Sequence, residues 1–142
     1  PGTWASAATA LALFLWPHEP GELLVYLLVV WVLAAWSAAY VQPQWGEDPR
    51  QVVADEALGT IAALLWLPKT ALVYLVATAL FRLFDILKPP PVRWAGETPG
   101  GSGVVLDDLL AGLLANYITF LLVWFTPLAK TSLWQVIQFL LS

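Results

Sequence analysis

Five carboxylates placed inside or at the edge of hydrophobic runs constrain this chain more than any other feature: Asp55-Glu56, Asp85 and Asp107-Asp108. A carboxylate at bilayer depth costs at least about 2.5–3.5 kcal/mol on insertion scales. A fold that accepts five of them must gather them with one another or with cations. Three such clusters imply a shared countercharge, and a divalent metal is the simplest one. Glu19, Glu22, Glu47, Asp48 and Glu97, by contrast, fall in segments that read as loops. An embedded acidic site is the leading expectation.

Composition says what surrounds that site. Of the 142 residues, 60% are apolar and 11% are charged. A soluble domain carries about 45–50% apolar and about 25% charged residues, so this chain has too little charge to solvate a globular surface. Aromatic residues gather near the ends of apolar runs (Trp16, Trp36, Tyr40, Trp66, Trp94, Trp124), as they do at membrane interfaces. The reading is an all-α, polytopic membrane bundle, one embedded domain over residues 1–142. The six basic residues form no run, which argues against a nucleic-acid partner. Without Cys there is no disulfide, thiol nucleophile or thiolate metal site. The chain starts at Pro1 without Met, so a missing N-terminal piece is expected, and no signal-peptide pattern is visible.

Breaks along the chain predict about five helices and a short C-terminal one. Segment 4–16 is apolar but short, and Pro17-His18-Glu19-Pro20-Gly21 interrupts it. Segment 22–41 is the cleanest span, about 30 Å long at 1.5 Å per residue. Residues 42–54 read as a polar loop. Pro68 splits the next apolar stretch into helices over 52–66 and 69–88. The first of these reaches only about 22 Å, short of a full span, as broken segments do when they line a site. From Pro89 through Gly103 a loop is expected, then a spanning helix over 105–126 and a short helix over 131–141.

This alternation puts all five acids, and Thr3, at one membrane face. Arg50, Arg82, Lys88 and Arg93 lie on that side, against Lys69 and Lys130 on the other. By the positive-inside rule the acidic face is cytoplasmic.

Two motifs look alike. Asp55-Glu56-Ala57-Leu58-Gly59 and Asp107-Asp108-Leu109-Leu110-Ala111-Gly112 each open a helix with two acids and then present a Gly. Acids suit the positive end of the helix dipole, and Gly lets a second helix approach. Capping plus close packing is the plainer reading, about one in four, and the third cluster outweighs it. In that cluster Arg82 and Asp85 are i,i+3 neighbours with Lys88 one turn on. A self-neutralised interfacial ion pair is the plain alternative; the functional one makes Asp85 a metal ligand and the cations a phosphate clamp. Pro99-Gly100-Gly101-Ser102-Gly103 offers backbone amides for an anion nest, though it lacks the P-loop pattern. His18 lies away from the acids and reads as a loop residue. Asn116 either lines the site or bonds a neighbouring helix.

Oxygen ligands without His or Cys select magnesium-like ions. Carboxylate-held magnesium beside cations suits phosphoryl chemistry with an activated water, on a lipid phosphate presented from the inner leaflet.

The strings Pro1-Gly2-Thr3, Asp55-Glu56-x-x-Gly59, Phe81-Arg82-x-Phe84-Asp85-x-x-Lys88-Pro89-x-Pro91 and Gly100-Gly101-x-Gly103-x-x-x-Asp107-Asp108-x-x-Ala111-Gly112 resemble the phosphatidylglycerophosphatase A family. The resemblance covers nearly the whole chain. It departs at the start, where the family's Gly/Ser-containing stretch before Pro-Gly-Thr is missing. It implies a magnesium-dependent, multi-pass enzyme of the bacterial inner membrane that converts phosphatidylglycerophosphate to phosphatidylglycerol and phosphate. On that basis Asp55, Glu56, Asp85, Asp107 and Asp108 would hold one or two magnesium ions, with Asp108 or Glu56 as base. Arg82, Lys88 and the Gly101 amide would hold phosphate, Arg93 the headgroup, and Thr3 a phosphate oxygen. Two rivals differ in class. A cation- or proton-coupled transporter would want acids near the midplane in both halves of the chain. A phosphatidyl-transferase would need an Asp-Gly-x-x-Ala-Arg pattern that is absent.

Overall fold

The computed structural model describes residues 2–45, 53–99 and 101–142. Within them lie seven helices and no strand: α1 (Gly2–Leu15), α2 (Glu22–Trp45), α3 (Ala54–Leu64), α4 (Ala71–Leu87), α5 (Pro90–Gly96), α6 (Gly101–Phe125) and α7 (Leu133–Leu141). The all-helical class is as expected, but the expected count of about five plus a short C-terminal helix is too low. The added element is α5, in a stretch read as loop. Pro90 and Pro91 stop a preceding helix, yet they occupy the first turn of the next one, where a missing N–H costs nothing. Two boundaries also move. Helix α2 runs on through residues 42–45, and α6 starts at Gly101 rather than 105. Glu22, read as a loop residue, is the first residue of α2. Arg50, Glu47, Asp48 and Gly100 lie outside the described residues.

Helix α6 is the hub, touching α2, α3, α4 and α5, while α1 packs on α3 and α4. Its segment Gly103–Phe125 is the one described helix long and apolar enough to cross a membrane; Gly2–Leu15 and Glu22–Ser37 are apolar but shorter.

Helix α3 is the buried centre. Every residue from Leu58 to Leu64 is buried, so an 11-residue helix of about 16 Å is shielded by neighbours instead of spanning. Its last turn exposes backbone carbonyls to an apolar interior, and Asn116 of α6 satisfies two of them. The Asn116 amide donates to Ala63 O at 3.1 Å and Leu65 O at 2.8 Å. Asn116 therefore ties α6 to the end of α3. Thr70 then caps α4, its hydroxyl accepting from the Val73 N–H. Thr60, Thr119 and Ser6 each donate to the carbonyl four residues back, which lets hydroxyls sit in an apolar core.

Candidate metal and phosphate site

The acids converge because two helix starts cross. Gly59 and Gly112 each follow an acid by four residues, and they meet where α3 packs on α6. That contact sets Asp55 and Glu56 beside Asp108. One carboxylate oxygen from each of these three residues lies within 4.8 Å of the others. The remaining two acids come from α4 and α6 and are ion-paired. Arg82 Nη1 lies 2.6 Å from Asp85 Oδ2, and Lys88 Nζ lies 2.5 Å from Asp107 Oδ2. The five acids thus divide into a three-carboxylate cluster and two ion pairs that flank it.

A cavity of about 540 Å³ joins these groups. Asp55, Glu56, Asp85, Lys88, Arg93, Asp107 and Asp108, all singled out in the sequence, line it. Gly96, Glu97 and Val104 line it as well. Glu97 lies in the turn that caps α5, and its place at the cavity follows from that unexpected helix. The Pro-Pro pair followed by Val92, which is fully buried, was the available signal.

Three expected residues do not line the cavity. Arg82 stands behind Asp85, against the start of α1, where a Cβ on Gly2 would meet both Glu56 and the Arg82 guanidinium. Thr3 is exposed. Gly101 belongs to the first turn of α6, so the glycine segment is helical there instead of an open nest. Gly103 serves packing: a Cβ on it would press on the Thr98 carbonyl and come 2.9 Å from Gly96 O. His18 sits at the other end of α4, 3.4 Å from both Lys69 Nζ and the Tyr74 hydroxyl.

The backbone at Lys88 is unusual. Its φ of 45° is left-handed, a conformation costing a non-Gly residue about 1–2 kcal/mol. Phe84 O accepts its N–H, and the turn aims the side chain at Asp107 before Pro89 starts α5.

Electrostatics call for a cation. Burial, and then the hydrogen bond and charge of Glu56, push the Asp55 carboxyl up to about 8. Burial works against the Lys88 ammonium, but Asp107, with Asp85 and Asp108 beyond, holds it above the usual lysine range. Glu56 Oε2 and Asp107 Oδ1 are buried without a hydrogen-bond partner, and so are Arg82 Nε and Nη1, the latter in ion-pair contact but out of hydrogen-bond alignment. Buried polar atoms left unpartnered are costly. An all-oxygen donor set with orphaned carboxylate oxygens fits a hard divalent cation.

The family model for phosphatidylglycerophosphatase A matches residues 1–123. A Haemophilus influenzae protein named phosphatidylglycerophosphatase A is 33% identical over 125 residues, covering 84% of this chain and 77% of its own. The Escherichia coli protein of the same name is 31% identical over 139 residues, covering 93% and 79%. A Bacteroides thetaiotaomicron protein, provisionally named phosphatidylinositol-3-phosphatase, is 37% identical over 115 residues, 72% of each chain. No solved structure matches the chain.

Proposed function

This chain belongs to the phosphatidylglycerophosphatase A family and is a phosphatase; on that premise we propose that it hydrolyses the terminal phosphomonoester of phosphatidylglycerophosphate with magnesium. The observation that carries the reading is the three-carboxylate cluster opening into a cavity that also holds two flanking cations, Lys88 and Arg93.

Asp55, Glu56 and Asp108 would hold the magnesium, joined by Asp85 or Asp107 where a second ion binds. Such an ion polarises phosphoryl oxygens and makes a water a better nucleophile. Glu56, whose Oε2 has no partner, takes the water proton; Asp108 is the other candidate base. Lys88 at the cavity wall and Arg82 just behind Asp85 would balance charge on the phosphate, Arg82 by giving up part of its pairing with Asp85. Arg93, on α5 at the cavity wall, meets the phosphodiester, while Thr3 and the Gly101 amide, outside the cavity lining, would reach the phosphate only if the starts of α1 and α6 move toward it. The products are phosphatidylglycerol and phosphate.

The protein works as one domain, multi-pass in a bacterial inner membrane with the cavity at the cytoplasmic face. Support comes from α6 and from α2, which exposes Val25, Val29, Val32 and Trp36 along one face, a surface suited to lipid. The transporter alternative is not supported, because the acids share one cavity at one end of their helices.

Phosphate release from phosphatidylglycerophosphate in detergent micelles, with magnesium and with chelator, tests this. Magnesium-dependent release is expected. A well-folded protein that releases none, or that prefers phosphatidylinositol 3-phosphate, would overturn the substrate assignment.

A further inference from the structure

A groove of about 330 Å³ runs between α1 and α4. Ala7, Ala10 and Phe14 form one wall, and Tyr74, Leu75 and Thr78 the other. The alanines keep it open, and the rim residue Leu75 is 59% exposed, so it opens sideways along the helices. Its far end is closed, since Phe14 and Tyr74 meet edge to face with centroids 5.7 Å apart and Tyr74 reaches toward His18.

Its near end faces the acid site across Gly2 and Arg82. Helix α1 begins at Gly2, against Glu56 and Arg82. Thr78 precedes Arg82 on α4 by four residues, one helical turn of about 6 Å. Unlike Thr60 and Thr119, which bond back into their helices, Thr78 has a buried hydroxyl without a hydrogen-bond partner. Moving along the pair of helices from the site, one meets a guanidinium, then a lone hydroxyl, then a purely apolar trough with a closed end. In phosphatidylglycerophosphate the phosphodiester, an ester carbonyl and hydrocarbon follow in that order, and the terminal phosphate lies one glycerol further on, toward the cavity side of the guanidinium.

We propose that the α1–α4 groove binds one acyl chain of the substrate lipid, with the Thr78 hydroxyl donating to that chain's ester carbonyl. The inference rests on the lipid-phosphatase reading above and adds how the enzyme grips the lipid and measures its chain.

The test uses mixed micelles at fixed surface mole fraction and substrates of graded acyl length. For the unaltered protein, kcat/KM should rise with acyl length, by less than about twofold per added methylene because the chain leaves hydrocarbon and not water, and level off once the closed end is reached. Ala10→Phe fills the trough and should bring the long-chain to short-chain ratio close to one. Thr78→Val should lower kcat/KM on ester lipids several-fold relative to their ether analogues, which lack the carbonyl. Identical chain-length profiles in the unaltered protein and Ala10→Phe would overturn the proposal. A photoactivatable acyl chain on the substrate should label α1 and α4 of the unaltered protein, a readout independent of variant folding. Labels confined to other helices, or a change of oligomeric size in Ala10→Phe without labelling of the groove, would overturn it in favour of bulk lipid or a second copy. Absence of phosphate release at every chain length would sink the phosphatase reading instead, leaving the labelling to decide the groove.

Discussion

Gly112 of α6 lies against Gly59 of α3 so closely that a Cβ on Gly112 would rest on the Gly59 carbonyl oxygen. A Cβ on Gly59 would likewise fall on the Phe81 ring and within 2.8 Å of the Asp108 carbonyl oxygen. The crossing of two apolar helices therefore sets the distance between their acids. Packing and chemistry share one contact.

Gly112→Leu should wedge α3 from α6. Overpacking of this kind costs about 1–3 kcal/mol, and the obstacle is backbone, which cannot rotate away. The thermal midpoint in detergent should fall by several degrees, with loss of activity as the acids separate. Unchanged melting would mean that the helices do not touch there.

Asp85→Asn should abolish turnover, by at least about 100-fold, while the protein still inserts and keeps its helical circular dichroism. The side chain keeps its shape and loses only the charge facing Arg82. Retained phosphate release would remove Asp85 from the reacting centre.

Arg82→Lys should damage activity more than Lys88→Arg. Arg82 is largely buried between Asp85 and the start of α1, with Nη1 ion-paired to Asp85 and Nε without a hydrogen-bond partner, and a lysine cannot replace that planar fork. Lys88 needs only a point charge against Asp107. Equal losses in kcat/KM would argue against bidentate phosphate contact.

The metal-free protein should lose stability as pH rises. Asp55 has a folded value of about 8 against an ordinary 3.8, so between these pH values the folded state binds more protons than the unfolded one. Unfolding free energy must then fall with pH across that window. Magnesium should raise the melting midpoint most near the upper end, where the proton no longer competes for the carboxylate. Melting curves from pH 4 to 9, with chelator and with magnesium, check both slopes; a flat chelator curve would contradict a buried, protonated Asp55.

Much of the fold was legible because apolar helices announce themselves by hydropathy and by the prolines that end them. The breaks at Pro17, Pro68 and Pro89 match real helix ends. The five acids were legible as a group because charge in an apolar run is costly wherever it falls. Helix α5 escaped because seven residues opening on two prolines carry too little periodicity to be told from loop. With it went Glu97 and Gly96, whose place at the cavity depends on that helix folding back on α6.

By itself the sequence determined which groups had to be gathered and from which helix ends, since desolvation penalises each isolated carboxylate regardless of partner. Only the tertiary structure decided how they are shared. Asp55, Glu56 and Asp108 form the cluster, while Asp85 and Asp107 are held by Arg82 and Lys88. It also settled that Asn116 caps α3 and does not line the cavity. Those outcomes turn on distances of a few ångströms between residues far apart in the chain, fixed by the Gly59–Gly112 crossing and by the left-handed turn at Lys88. The glycines permit a close crossing, but local preference does not say which two helices meet there.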